Sequence, residues 1–392
     1  MPFRRSPLAA QKGFSIAELM VGMTIGLLAI LIMQTMAVQF SSQKRASSGG
    51  ADAQNTGMMA MNTLESDIRL GGYGLASLDT LYCNMQTTRV FNGRRYMPVA
   101  IIPDGVAAAS PSNLLGIPPG DAGSDIVAVM YGNSSTVIEG AAISQLPSTT
   151  SYGLNVSGMN LNDFVMVGQA SQPCTVARIT GPSPLSSPIT VDTASGAAAY
   201  VINSTNVFNL GNQGMTMNVY AIRGGDLTVC DFWTSNCADP AQVAPAWGGP
   251  GQANPAVWVP IANNVVGMRA QYGWDTSAPP NMTVDAFCRS RLTSAAPACP
   301  TPDPGTVVPN SACDWTRVAA IRLALVVRSA ERGDGNTVVS PANITLWPDS
   351  AVAPTTTGPV FAVPSRNYRY KVFQSDIPIR NVIWHGAEAS CP

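Results

Sequence analysis

The sequence predicts an α+β chain, with a long N-terminal membrane-spanning helix followed by a large, mainly antiparallel β globular domain. Three observations lead there. Residues 14–40 form a run of 27 residues, mostly apolar or small, with one charged side chain, Glu18. No proline occurs between Pro7 and Pro98, so nothing there forces a helix to break. Beyond it, charged residues are scarce, 11% of the 392 overall, while 35 glycines and 31 prolines favour many short strands and turns over a helical bundle.

As a helix, residues 14–40 extend about 40 Å at about 1.5 Å per residue, more than the roughly 30 Å of a bilayer's hydrocarbon layer. Arg4, Arg5 and Lys12 precede the run without an acid, so the N-terminus is expected in the cytoplasm and everything beyond Lys44 and Arg45 across the membrane. The run exceeds the apolar stretch of a cleavable secretory signal, about 7 to 15 residues. A plain uncleaved anchor accounts for its length but leaves Glu18 unexplained.

An ionised acid inside a membrane helix costs roughly 2.5 to 3.5 kcal/mol at the centre and less near the edge. Ser15 and Glu18 form S-x-x-E ahead of the apolar run, a capping box that satisfies backbone N–H groups at a helix start. The alternative is a partner of opposite charge on another chain. Gly22 and Gly26 add a G-x-x-x-G spacing, which allows close approach of a second helix in lipid.

After Phe40 the pattern turns polar. Met58, Met61, Leu64 and Ile68 then recur three or four residues apart, predicting that the helix continues with one face packed on the following domain, until "GGYG" at 71–74 stops it. Beyond Gly71, strands are expected at 124–132, 163–170, 174–180, 188–193, 215–223, 226–233, 264–275, 317–329 and 368–381. "RGGD" at 223–226 reads as the turn of a hairpin. Segments 103–125, 239–256 and 299–313, rich in Pro, Gly, Ala and Ser, read as surface loops.

All eight cysteines follow the apolar run. With one histidine, His385, and no C-x-x-C, disulfides outside the cytoplasm are the expectation rather than zinc, and Cys230 with Cys237 is the one pairing suggested by proximity. A net charge of −1 gives no basic footprint, so no direct nucleic-acid contact is expected. No G-x-S-x-G, H-E-x-x-H or P-loop occurs, and a lone histidine is a poor basis for acid–base chemistry, so neither an enzyme nor a cofactor is expected. Asp275 and Asp285 flank a loop without the oxygen ligands at regular spacing that calcium needs.

The N-terminal stretch resembles the signal of type IV prepilins and pseudopilins: a short basic leader ending in Gly13, then Phe14, then Glu18 at the fifth position, continuing "ELM". The fold implied is pilin-like, with a leader at 1–13, a helix at 14–70 that crosses the membrane over 14–40, and a globular domain at 71–392. The resemblance implies that a prepilin peptidase cuts between Gly13 and Phe14 and methylates the new amino group of Phe14. It also implies that the Glu18 carboxylate pairs with that group on a neighbouring subunit. "LESDIRLGGYG" (64–74), "VVGMRAQYGWD" (265–275), "RVAAIRLALVVRS" (317–329) and "YKVFQSDIPIRN" (370–381) are similar to elements of the PilW-type minor pilins.

Such proteins are implied to sit in the inner membrane and then in the pilus, within a priming and tip complex. Their partners there would be other minor pilins, the major pilin, the inner-membrane assembly machinery and a tip adhesin, in support of motility or adhesion. A domain of some 320 residues favours a terminal place over a repeated one, because it would crowd neighbours in a shaft. A minor pseudopilin of a type II secretion system would use the same signal. A signal-anchored surface binding protein would instead keep its N-terminus uncut.

Overall fold

The computed structural model describes residue 13 and residues 15–134, 139–196, 200–243, 252–293, 295–296, 298–300, 308–330, 339–348, 359–383 and 391. Phe14 and His385 lie outside the described residues. A single helix, α1, runs from Ile16 to Leu70 over 55 residues. Its first part, Ile16–Phe40, is long and apolar enough to cross a membrane. Its large side chains, among them Ile16, Leu19, Met33 and Phe40, are exposed.

The second part of α1 packs on the globular domain through Ala53, Gly57, Ala60, Met61, Leu64 and Ile68, which recur at helical spacing and share one face. The expected face included Met58, which is instead half-exposed. The reason is steric: Gly57 faces the domain, and the Phe373 ring occupies the space a Cβ at Gly57 would need. The glycine cluster ends the helix as expected. Gly71 N–H bonds back to the Ile68 carbonyl at 3.0 Å, and Gly72, at φ +81°, turns its N–H to the Met130 carbonyl at 2.9 Å.

Two sheets carry α1. One has the order Val259–Ala262, Asp226–Asp231, Met215–Arg223, Ile126–Gly132, Val99–Ile102. The other has the order Ala286–Cys288, Val265–Trp274, Val318–Arg328, Tyr370–Pro378. An eight-stranded sheet is built from short strands between Met85 and Gly211 and has a core of its own around Tyr152, Val165 and Ile179. Asn343–Thr345 and Val360–Ala362 form a small hairpin pair. Among the described strands every pairing is antiparallel except Met85–Gln86 with Cys174–Thr175.

Val318–Arg328 explains why its sequence shows no alternation. Ile321, Leu323, Leu325 and Val327 join the main core, while Ala324 and Val326 face the small cluster of Leu346, Trp347 and Phe361, so both faces are buried. The turn at 223–226 is the expected hairpin, with Arg223 opposite Asp226 and both central glycines at positive φ. The expected strand at 368–381 stops at Pro378 and gives way to a single helical turn, Arg380–Ile383. Strands Val99–Ile102, Asn206–Gly211 and Val259–Ala262 were not expected. A turn of helix at Ala312–Trp315, capped by Ser311, ends the loop that began at 299.

All eight cysteines are paired: Cys83 with Cys174, Cys230 with Cys237, Cys288 with Cys299 and Cys313 with Cys391. The pairing expected from proximity is among them.

Candidate assembly site

The start of α1 is built by its own sequence. Ser15 is the N-cap; its hydroxyl accepts the Ala17 N–H at 3.2 Å, and Glu18 Oε2 accepts the Ser15 N–H at 3.0 Å. The capping box read from the sequence is therefore formed. Gly13 and Glu18 are both exposed, and no Lys or Arg side chain among the described residues pairs with Glu18. Gly22 and Gly26 lie on the exposed run with nothing within 4 Å of where a Cβ would be, leaving a shallow face for another helix. Thr24 and Thr35 turn their hydroxyls to the carbonyls of Val21 at 2.9 Å and Ile32 at 2.8 Å, so neither brings an unpaired donor into the apolar run.

At the other end, α1 is fixed by polar contacts the sequence reading did not assign. Asp67 accepts the Tyr131 hydroxyl at 3.1 Å, the Asn218 amide at 2.7 Å and the Tyr220 hydroxyl at 2.5 Å, all from the five-stranded sheet. Burial, reinforced by the Asp67 charge, pushes the Tyr131 phenol up to about 12 and Tyr220 higher. Both hydroxyls thus stay neutral donors over the physiological range.

From the helical turn that follows the last strand of the four-stranded sheet, the Asn381 amide donates to the carbonyls of Arg69, Leu70 and Gly71 at 3.2 to 3.3 Å, covering acceptors at the helix end. Arg322 holds Asp376 through two bonds at 2.8 and 2.9 Å and lies over the Phe287 ring, tying the last strand to its neighbour. Asp67, Arg322, Asp376 and Asn381 stand within the segments quoted above for their resemblance to known elements, which left their partners unreadable.

The Asp275–Asp285 loop uses its own carboxylates. Asp275 accepts the N–H groups of Ser277, Asn281 and Met282, and Asp285 accepts the Thr276 N–H and the hydroxyls of Thr276 and Ser277. Among the described residues no group of three or more His, Cys, Asp or Glu side chains is placed to hold a metal.

A model of the family described as Type IV Pilus-assembly protein W matches residues 237–381. The matched span contains the four-stranded sheet and ends on Asn381, the residue that covers the end of α1. No curated protein and no solved structure matches the chain.

Proposed function

We propose, from the premise that this chain is a pilus-assembly protein of the PilW type, that it is a minor pilin placed at or near the tip of a type IV pilus. The observation that carries the reading is Glu18. It is an exposed acid on the first turn of an apolar helix, and no Lys or Arg side chain among the described residues pairs with it. Cleavage between Gly13 and Phe14 removes Arg4, Arg5 and Lys12, leaving 19 basic against 23 acidic residues, and creates an ammonium at Phe14. A neighbour's ammonium then neutralises Glu18 where the dielectric is low and an unpaired charge is costly. That pairing sets the register between subunits, and the methyl group added to Phe14 leaves the charge in place.

In this reading the chain enters the inner membrane with its N-terminus in the cytoplasm, and the disulfide-bonded domain lies on the oxidising side. Gly22 and Gly26 give the membrane helix a close-packing face against other pilins. The bulk of the domain suits a rare, terminal subunit that meets other minor pilins and an adhesin. Mass spectrometry of the N-terminus, combined with deletion of the gene, tests this. The expected results are N-methylated Phe14 as the first residue and loss of pili and surface motility. An intact Met1, or a cut elsewhere, overturns it.

A further inference from the structure

Tyr370–Pro378 is the outer strand of the four-stranded sheet, and its ladder against Val318–Arg328 runs without a bulge from Ala320 opposite Pro378 to Arg328 opposite Tyr370. Two bonds extend that ladder: Ile379 N–H to the Ala319 carbonyl at 3.1 Å and Ser329 N–H to the Arg369 carbonyl at 2.8 Å. They fix the alternation. Phe373, Ser375 and Ile377 point their backbone groups at the neighbouring strand, whereas Val372, Gln374 and Asp376 point theirs outward. None of these three has an outward backbone partner among the described residues. Outer strands are commonly blunted by charged side chains, a proline, a bulge or a covering segment. Here Lys371 and Pro378 stand near the two ends of the strand, and from Val372 to Ile377 the described structure has no proline, bulge or covering segment.

Each face of the strand is covered in part, with Lys371, Gln374 and Asp376 exposed. Phe373 and Ile377 belong to the core that includes α1, while Tyr370 and Val372 pack on the Trp347 and Phe361 cluster. An added strand would continue two partly covered faces and pair the outward backbone groups. We infer that this edge receives an extended segment of another pilus-assembly protein as a fifth strand. The inference rests on the pilus reading above, which supplies the class of partner.

A second copy of this chain fits poorly. α1 and Tyr370–Pro378 run in the same direction, because Gly57 lies against Phe373 and Leu70 against Asn381. Antiparallel pairing of two identical edges would aim the two membrane helices in opposite directions, although one membrane must hold both. Parallel pairing offsets the copies by one residue and breaks their symmetry. The exposed Lys371 and the half-exposed Asp376 give the edge a polarity. The matching segment carries an acid beside the first, a base beside the second and β-branched or aromatic residues between them.

The test uses the full-length chain, produced alone or with the other pilus-assembly proteins of the same cell, and reads amide hydrogen exchange. The amides of Val372, Gln374 and Asp376 are expected to slow about tenfold or more in the co-expressed complex, while those of Phe373, Ser375 and Ile377 stay protected in both. Gln374→Pro removes only an outward N–H, so the inner ladder and the melting temperature are kept while the recovered complex falls about tenfold. Outward amides that are already slow in the chain alone, or equally fast in both samples, overturn the inference, as does a normal yield of complex with Gln374→Pro. If the unmodified chain associates with no pilus protein, it is the pilus reading that falls.

Discussion

Glu18 Oε2 accepts the backbone N–H of Ser15 at 3.0 Å, so the one acid of the membrane helix caps that helix within its own chain. Capping and pairing with a neighbour's amine both draw on the same carboxylate, and a substitution that keeps one while removing the other separates them. Glu18→Gln retains an oxygen acceptor for Ser15 but carries no charge. If the charge matters, Glu18→Gln leaves the chain stable in the membrane yet absent from sheared pili. Ser15→Ala, which loses a cap contact worth about 1 kcal/mol, is expected to assemble. Immunoblots of pilus and membrane fractions read both results, and normal pilus incorporation of Glu18→Gln contradicts the role assigned to the charge.

Gly57 offers a test in which two effects have opposite signs. In an exposed helix, Gly→Ala stabilises by about 1 kcal/mol through propensity alone. Here the new methyl would overlap the Phe373 ring, and the helix would have to lift from the four-stranded sheet. Overpacking of this kind costs about 1 to 3 kcal/mol, so the propensity gain is cancelled and a net loss of up to about 2 kcal/mol is expected for Gly57→Ala in chemical denaturation. Gly50, with nothing within 4 Å of its Cβ position, is the control and should gain stability as alanine.

Asp67 is the polar pivot between α1 and the five-stranded sheet. Asp67→Ala leaves Tyr131, Asn218 and Tyr220 without their shared acceptor, and losing this charged hydrogen-bond centre is expected to cost about 3 kcal/mol. Ultraviolet titration adds an independent readout: the Tyr131 phenol, held at about 12, should move down toward its ordinary value once the neighbouring charge is gone. An unchanged phenol titration would show that the carboxylate does not act on it.

The broad outline was legible because it depends on composition and period. The proline-free run from 14 to 70 reads directly as α1, and the alternating or β-branched runs at 215–223 and 265–274 read as strands. What escaped depends on tertiary partners. Asn206–Gly211 carries two asparagines and a bulge at its end, and its pairing with Phe164–Gly168 is set by a neighbour some forty residues away. Met58 looked like core because sequence periodicity cannot reveal that an aromatic ring claims the glycine beside it. Asp67 and Asn381 stood inside recognisable segments, but an acid and an amide acquire a role only when the fold places hydroxyls or helix carbonyls opposite them. At the start of α1, S-x-x-E was readable because both halves of the contact are local.

High pH should weaken the fold in a defined window. Burial raises the phenols of Tyr96, Tyr220 and Tyr272 well above their ordinary value, and that of Tyr200 to about 12. The unfolded chain loses these protons near pH 10 while the folded chain keeps them. The stability that neutral phenols provide is therefore fully present below about pH 10 and is lost as the pH rises through the folded values. Each phenol still protonated in the fold contributes a loss of about 1.4 kcal/mol per pH unit above 10. Urea unfolding should give a flat stability from pH 8 to 9.5, then a fall steeper than a single tyrosine can supply by pH 11.5. With no free cysteine among the eight, no thiolate is present to start disulfide exchange and mimic that fall. Tyr272→Phe keeps the ring but removes the hydroxyl that accepts the Ile101 N–H at 2.8 Å. It is expected to make the alkaline slope shallower by one proton's worth while costing about 1 kcal/mol at neutral pH. A slope unchanged by this substitution would assign the alkaline loss to other groups.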